Sequence, residues 1–309
     1  MSKENTAVTK KKIRRCKEDV VFDAACFIIL TLVLFVVAYP LYWVIISSIS
    51  APSAVSSGKV LLHPIGFTLK GYAEVFKNDQ VMRGFLNSLI ITFCGVMVNL
   101  IVTLPTSYAL SRSNFSGKKP ITIFYLITMF FGGGLIPTYL VIQRLQMLNT
   151  IWALILPGCL SVYNMIVART FFKSNISEEL YEAAEIDGCT QARFFFQIAL
   201  PLSKAIIAIL VLYYGVGHWN SYFSALVYIS DKAKYPLQLV LRNILITNQT
   251  ALSQTATTAA ARAALQEKQQ LIDVMKYSLI IISSIPVLVM YPLVQKHFVK
   301  GVMIGSVKG

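Results

Sequence analysis

The chain has 309 residues, of which 56% are hydrophobic and only 14% are charged, whereas about 25% of the residues of an ordinary globular protein are charged. So few charges cannot solvate the surface of a soluble protein of this length. This excludes a soluble enzyme, a disordered chain and a fibrous repeat, and it predicts an integral membrane protein.

The N-terminal segment is strongly basic. The net charge of +14 comes from 28 Lys and Arg against 14 Asp and Glu, and seven of the basic residues lie within residues 1–20, directly before an apolar run. A basic segment beside an apolar run is typical of a cytoplasmic tail next to a membrane span and not of a nucleic-acid-binding surface. We therefore expect residues 1–20 to form a cytoplasmic tail and expect no nucleic-acid partner.

Six apolar stretches follow, each of roughly 20 residues or more, the length that crosses a bilayer as a helix. They predict an all-α fold of six transmembrane helices at residues 24–48, 86–110, 121–142, 151–172, 205–229 and 274–293. With the N-terminus inside, 17 of the 28 Lys and Arg fall on the inner side and 10 on the outer side, which favours cytoplasmic termini. Residues 21–294 then form the membrane domain, with an outer loop at 230–273, and residues 295–309 form a cytoplasmic tail.

Helix-breaking residues interrupt several of these stretches. The third stretch contains three consecutive glycines, Gly132 to Gly134, while Pro105 interrupts the second and Pro157 the fourth. One interpretation is close helix packing through small residues. The other is a broken third helix around Gly133 that lines a water-filled path, where irregular backbone is tolerated.

The sequence shows no energy source and no catalytic cluster of its own. No acidic residue lies clearly inside a predicted span, the three histidines are scattered, and no phosphate-binding GxxxxGK[ST] loop occurs. We therefore predict no catalytic residue, no metal site and no bound cofactor. If the chain drives transport, its energy has to come from a partner.

A polar segment in the fifth span is a candidate for contact with substrate. His218, Trp219, Asn220 and Tyr222 follow Gly217. Aromatic faces can stack on sugar rings, and His and Asn can bond hydroxyl groups, so the segment can form a pathway wall. The alternative is a cluster that packs and hydrogen-bonds between helices, or aromatic residues at the membrane interface.

The segment between the fourth and fifth spans predicts two short helices around a glycine. Ser177 is a good N-cap, Gly188 is placed to take a left-handed conformation that ends the first helix, and Thr190 can cap the second. Pro201 should restrict Leu200 and redirect the chain. Such a helix–turn–helix can dock into a cleft of another protein, or it can be a solvated surface hairpin.

This segment resembles the EAA motif of ABC-importer membrane subunits, EAA-x3-G-x9-I-x-L-P, at every motif position and spacing. The matching residues are Glu182, Ala183, Ala184, Gly188, Ile198, Leu200 and Pro201. The resemblance implies that residues 174–203, called the coupling loop below, seat in a cleft of an ATPase subunit. It assigns ATPase contact to Glu182, close approach to Ala183 and Ala184, and the turn to Gly188.

The wider chain, from about residue 20 to the end, is similar to the maltose-transporter type of carbohydrate-uptake permease. Residues 131–137, 217–220, 235–240 and 298–309 carry this similarity. It implies a type I importer fold in a bacterial cell membrane. Its implied partners are a second permease, two ATPases that use ATP and Mg, and an extracytoplasmic solute-binding lipoprotein that delivers a carbohydrate. It also implies that Gly305, Ser306 and Lys308 contact the ATPases.

Three functions remain open from the sequence. The leading one is the permease subunit of an ATP-driven carbohydrate importer. The second is the same machine with a non-sugar cargo such as an amino acid, phosphate or a metal. The third is a channel or secondary carrier that acts alone. The Ala-, Thr- and Gln-rich residues 248–270 are either a lobe that touches the binding protein or a variable surface loop.

Overall fold

The computed structural model describes residues 17–250 and 259–305. Within these ranges the chain is helical and has no β-strand, which confirms the all-α prediction there. Single turns of other helix types lie at Leu156–Gly158 and Lys232–Lys234 (3-10) and at Phe195–Ala199 (π). The α-helices are α1 (Lys17–Ser48), α2 (Pro52–Ser56), α3 (Lys70–Lys77), α4 (Asp79–Ser111), α5 (Lys118–Phe130), α6 (Leu135–Arg144), α7 (Trp152–Ile155), α8 (Val162–Asn175), α9 (Glu178–Ile186), α10 (Gln191–Phe194), α11 (Leu200–Leu202), α12 (Lys204–Trp219), α13 (Phe223–Tyr228), α14 (Leu237–Thr250) and α15 (Ala259–Gly305).

Three helices of the described ranges are long and apolar enough to cross a membrane unbroken, namely α1, α4 and the part Gln269–Pro292 of α15. They correspond to the predicted first, second and sixth spans. Pro105 does not interrupt α4, contrary to the prediction. Hydrogen bonds of the Thr103 and Ser107 side chains, on either side of the proline, hold this part of α4 against neighbouring helices.

The other predicted spans are not single helices. The axes of α5 and α6 differ by 113°, and those of Trp152–Gly158 and α8 by 52°. Between α5 and α6, Phe131 is extended and Gly134 takes a positive φ of 84°. Between α7 and α8, the chain makes a 3-10 turn at Pro157. If each bent pair is one span, up to six spans are present by length and composition.

The predicted fifth span, residues 205–229, is also corrected. Helix α12 ends at Trp219, and α13 is a separate short helix. The end of α12 is closed by Asn220, whose side-chain amide donates to the carbonyl of Val216 at 3.0 Å. An 80° bend separates α12 from the preceding helical residues Gln191–Leu202.

Helix α4 is the centre of the bundle and packs against α8, α12 and α14. The hydroxyl groups of Thr103 on α4 and Tyr214 on α12 lie 2.7 Å apart, and the Tyr214 oxygen also accepts from the amide of Ser161 at the start of α8. Ser107 donates to the carbonyl of Met165 on α8 at 3.0 Å. Polar contacts of this kind join three helices in a place where water cannot compete.

Helix α1 lies at the edge of the bundle. Its only buried residues are Ile46, Ser47 and Ser48 at its C-terminal end, where it packs against α15. Most of the apolar side chains that precede them are exposed in the isolated chain, as expected of a helix that faces lipid or another subunit.

Helix α15 is longer at both ends than the predicted sixth span. Its first turns and α14 occupy most of residues 230–273, which were predicted as an outer loop. At the other end it runs through the first part of the predicted tail and ends at Gly305. The predicted contact residues Ser306 and Lys308 lie outside the described residues, as does the N-terminal tail up to residue 16.

Candidate functional site

The coupling loop folds as its local sequence predicts. The hydroxyl of Ser177 accepts from the amide of Leu180 and caps α9, and the hydroxyl of Thr190 accepts from the amide of Arg193 and caps α10. Between them Gly188 has a φ of +75°, the left-handed conformation that favours glycine. The predicted pair of short helices around a glycine is therefore confirmed.

The return from the loop to the bundle differs from the prediction. Leu200 is not restricted to an extended conformation by Pro201, because its φ of −63° and ψ of −49° are helical. The preceding turn, Phe195–Ala199, is π-helical, and its wider hydrogen-bond spacing accommodates a proline that has no amide to donate. The chain changes direction two residues later, at Ser203.

An aromatic cluster fixes the coupling loop to the bundle. Tyr181 of α9 is buried and packs edge-on against Phe194 at 5.3 Å between ring centroids. Tyr108 of α4 contacts Phe195 at 5.0 Å and Phe172 of α8 at 5.6 Å. The loop, α4 and α8 therefore share one hydrophobic core, so a force applied to the loop reaches the two helices directly.

A buried arginine adds a polar connection at the same junction. Arg112 directly follows α4 and is 9% exposed. Its Nη2 donates to the carbonyl of Ile176 at 3.1 Å, its Nη1 lies 3.7 Å from a carboxylate oxygen of Glu178, and its guanidinium covers the ring of Tyr108 at 5.1 Å. The other carboxylate oxygen of Glu178 accepts from the amide of Ser113 at 3.2 Å. Arg112 therefore ties the end of α4 to the end of α8 and the start of α9.

The motif residues fall into two groups. Glu182, Ala183 and Gly188 are exposed at the tip of the loop, and Ala184 is half-buried beside the aromatic cluster. The other three motif residues lie at the base of the loop. Ile198 and Leu200 are half-buried there, and Pro201 is exposed. The tip also carries Ile186, which is 87% exposed. The tip therefore presents acidic and apolar side chains together on its exposed surface.

The polar segment at the end of α12 does not form one surface. Trp219 is 2% exposed, donates from its indole nitrogen to the carbonyl of Ser283 at 2.8 Å, and packs edge-on against Phe85. This placement fits the packing interpretation of Trp219 and not that of a pathway wall. Asn220 and Tyr222 are exposed, whereas His218 is half-buried, so Asn220 and Tyr222 are the most accessible of this group to a pathway or a partner.

His218 belongs to a hydrogen-bonded group in the middle of the bundle. Its Nε2 lies 2.7 Å from the side-chain oxygen of Asn99 on α4, and the Asn99 amide donates to the carbonyls of Gly158 and Cys159 at 2.8 and 2.9 Å. Those carbonyls belong to the break between α7 and α8. A Cβ at Gly95 would collide with the His218 imidazole, so this glycine allows α4 and α12 to approach. The group satisfies the backbone of a broken span.

Gly133 lies in the break between α5 and α6. A Cβ added at Gly132 or Gly134 would meet no atom within 4 Å, and one at Gly133 would meet only Pro137 at 3.9 Å. No helix of the described chain therefore packs closely on this glycine run, which forms a break between α5 and α6.

No group of His, Cys, Asp and Glu side chains that could hold a metal ion occurs in the part of the chain that the structure describes.

No protein-family model matches the chain. The polygalacturonan/rhamnogalacturonan transport system permease protein YtcP of Bacillus subtilis (strain 168) is 36% identical over 93% of this chain and 98% of its own length. Protein LplC of the same organism is 39% identical over 94% of this chain and 95% of its own length. The chain is a member of the carbohydrate ABC transporter permease family.

The permease also matches a solved structure of that kind of transporter. A chain of a bacterial ABC transporter involved in the import of the acidic polysaccharide alginate superposes with a TM-score of 0.82 at 27% identity, over 92% of this permease and 99% of that chain. The chain therefore has the ABC importer permease fold and is a multi-pass inner membrane protein, in agreement with its apolar helices.

Several residues of the permease site were missed from the sequence. Arg112 and Tyr181 belong to no sequence motif. Their contacts with Ile176, Glu178 and Phe194 form only in the fold, because these residues are not neighbours in the sequence. Ile186 had a signal, because it is a large apolar residue at the end of a short helix, two positions before the turn glycine Gly188.

Proposed function

We propose that this permease is one of two membrane subunits of an ATP-driven importer that moves a carbohydrate, an oligosaccharide or polysaccharide fragment, into the cytoplasm. In this proposal the chain crosses the membrane six times, with both termini and the coupling loop in the cytoplasm. The second permease, two ATPase subunits and an extracytoplasmic solute-binding lipoprotein complete the assembly. The chain itself binds no cofactor, and the ATPases use the ATP and Mg.

The geometry of the coupling loop carries this proposal. Its tip presents Glu182, Ala183 and Ile186 outward, while its base is fixed by the aromatic cluster and Arg112. An exposed tip on a rigid base is what a lever between a motor subunit and the membrane helices requires.

The mechanism follows from this rigid connection. When two ATPase subunits close on ATP, each carries its docked coupling loop with it. Because Tyr181 and Arg112 fix the loop to α4 and α8, these helices move as a body with the loop and turn the pathway outward. Hydrolysis releases the ATPase dimer and resets the helices, as in other rigid-body switches between two packed states.

The identity of the cargo is suggested by the relatives. YtcP is named for polygalacturonan and rhamnogalacturonan transport, and the solved structure is of an importer for alginate. Fragments of acidic polysaccharides are therefore the first cargoes to test, with a neutral oligosaccharide in parallel.

The test is ATP-dependent uptake into proteoliposomes that contain the whole importer and its binding protein. We expect uptake of a labelled carbohydrate fragment only with ATP and Mg on the ATPase side. Uptake that needs neither nucleotide nor ATPase would point to a channel or a secondary carrier. ATP-driven uptake of amino acid, phosphate or metal without any uptake of sugar would contradict the carbohydrate cargo.

A further inference from the structure

The loop between α2 and α3 runs back along the end of α1. It comprises residues 57–69 and is called the return loop below. Near its end, the amide of Thr68 donates to the carbonyl of Ile49 at 2.9 Å, and the carbonyl of Ile65 accepts from the amide of Ala51 at 2.9 Å. These bonds fix the last part of the return loop where α1 ends.

The first part of the return loop is bound to the side of α1. Three consecutive carbonyls each accept a hydrogen bond from an aromatic side chain of that helix. The pairs are Val60 with Trp43 at 2.8 Å, Leu61 with Tyr39 at 3.4 Å and Leu62 with Tyr42 at 2.6 Å. Water can bond the carbonyls of a solvated loop, but irregular backbone in a membrane has to find its partners within the protein. The three bonds therefore suit a loop that lies at membrane depth.

The position along α1 places this contact at the edge of the bilayer. The apolar part of α1 starts at Ala24, directly after Asp23, and twenty residues from Ala24 end at Trp43. About twenty helical residues cross the hydrocarbon layer. Trp and Tyr are enriched where hydrocarbon meets water, because their rings are apolar and their N–H and O–H groups are polar. Tyr39, Tyr42 and Trp43 therefore mark the boundary on the side of the membrane opposite the N-terminus.

The side chains of the return loop fit phospholipid. Leu61 and Leu62 are 60% and 69% exposed although their carbonyls are bonded to α1. Lys59 is exposed directly before them, and none of residues 24–73 is Asp or Glu. Exposed leucines suit acyl chains, and a lysine beside them can reach the phosphate of a head group.

We propose that the return loop is an interfacial membrane anchor held in place by α1. Leu61 and Leu62 insert among the acyl chains of phospholipids, and Lys59 binds their phosphate groups. The inference requires that α1 crosses the bilayer, but it does not depend on the cargo or on the direction of transport. Because α3 follows the loop directly and packs against α15, the anchor fixes this end of the bundle relative to the lipid.

The test is spin-label accessibility at position 62 of the permease, together with the subunits that copurify with it, in vesicles of phosphatidylglycerol and phosphatidylethanolamine. The five native cysteines are replaced by alanine, and Leu62→Cys carries a nitroxide. Oxygen concentrates among acyl chains and a neutral nickel chelate stays in water. We therefore expect more collisions with oxygen than with the chelate at position 62. Ser57→Cys, at an exposed position before the apolar part of the loop, should show the reverse order.

A second pair of variants tests whether α1 holds the loop. Tyr39→Phe combined with Tyr42→Phe keeps both rings and removes two of the three donors, so the chelate should collide more often with the label at position 62. The matched control is Tyr213→Phe with Tyr291→Phe, two exposed tyrosines of α12 and α15, which should leave the collision rates unchanged. An unchanged rate in the Tyr39 and Tyr42 variant would overturn the claim that α1 holds the anchor.

A measurement in cells requires no cysteine replacement. A photo-reactive amino acid at Leu62 should form an adduct whose added mass is that of a phospholipid. Two results would overturn the anchor. A label at position 62 that collides more often with the chelate than with oxygen would place the loop in water. Exclusion of both reagents, with a protein in the adduct, would show that another subunit covers the loop.

Discussion

Arg112 and Glu178, 66 positions apart in sequence, meet where α4 ends and α9 begins, with Nη1 of the arginine 3.7 Å from a carboxylate oxygen of the glutamate. The arginine side chain is 11% exposed and that of the glutamate is 41% exposed. The pair is therefore only partly screened by solvent. The pair joins α4 to the coupling loop, and in the proposed mechanism a movement of the loop is transmitted at this point.

Weakening the Arg112–Glu178 pair should reduce the coupling between α4 and the coupling loop without unfolding the protein. For Glu178→Gln we expect uptake per ATP hydrolysed to fall roughly threefold, as expected for loss of a partly exposed charge pair, while ATPase association stays normal. The measurement is the ratio of labelled solute transported to phosphate released in proteoliposomes. The matched control is Glu179→Gln, an exposed neighbour on the same helix. An unchanged ratio for Glu178→Gln would show that the pair transmits nothing.

Gly188 should tolerate alanine far better than proline. Proline cannot take a φ of +75° and also lacks the amide that donates to the carbonyl of Glu185 at 2.9 Å. We expect Gly188→Pro to abolish uptake while the protein still inserts in the membrane. Gly188→Ala should cost about 1–2 kcal/mol of folding free energy because of the positive φ, with no added clash, since the new Cβ meets no atom within 4 Å. The measurement is uptake by membranes that contain equal amounts of each variant. Normal uptake by Gly188→Pro would contradict the turn assigned to Gly188.

The exposed tip should bind the ATPase partly through Ile186. Because this side chain is 87% exposed, Ile186→Glu should leave the folding of the isolated permease unchanged. It should nevertheless reduce the ATPase recovered with the permease by roughly tenfold, a loss typical of a central apolar contact. Leu61→Glu is the control, because Leu61 is 60% exposed and lies outside the coupling loop. Equal recovery with the two variants would remove Ile186 from the interface.

Trp219 should be required for stability more than for passage of solute. Removing its buried indole leaves a cavity and removes the hydrogen bond to the carbonyl of Ser283, so Trp219→Ala should cost about 3–5 kcal/mol of folding free energy. We expect a lower melting temperature in detergent and less assembled importer. Tyr222→Ala, at an exposed position three residues later, should leave the melting temperature nearly unchanged. Normal stability of Trp219→Ala together with reduced uptake would restore the pathway interpretation.

Glu182 should act through its charge and position at the loop tip. Glu182→Lys reverses an exposed charge without removing a contact in the described chain, so the permease should insert and melt normally but lose uptake. The matched control is Glu185→Lys, also exposed and on the same helix. Retained ATP-dependent uptake in Glu182→Lys would count against docking through this residue.

The parts of the site that were predicted from sequence are those that local chemistry decides. The caps Ser177 and Thr190 and the turn at Gly188 depend on residues within a few positions of each other, so the sequence contains the whole reason for them. Leu200 before Pro201 was wrongly predicted as restricted because the π-helical turn ahead of the proline accommodates it.

The contacts that were not predicted join residues far apart in the chain. The Trp219 side chain has an aromatic ring and one N–H donor, so its sequence position fits either a substrate pathway or a packed core. Only the hydrogen bond from its indole nitrogen to the carbonyl of Ser283 decides between the two. The bends of the third and fourth spans were signalled by glycine and proline, but their angles depend on packing. The long apolar helices were predictable because a bilayer requires about 20 apolar residues in any context.

The most direct test of the account is photo-crosslinking from the tip of the coupling loop in intact membranes. A photo-reactive amino acid at Ala183, with the same residue at Leu61 as control, is activated in cells that express the whole importer. The account predicts that the adduct from Ala183 contains an ATP-binding cassette subunit and that the adduct from Leu61 does not. An active importer in which Ala183 forms no ATPase adduct would contradict the claim that this loop is the connection to the motor.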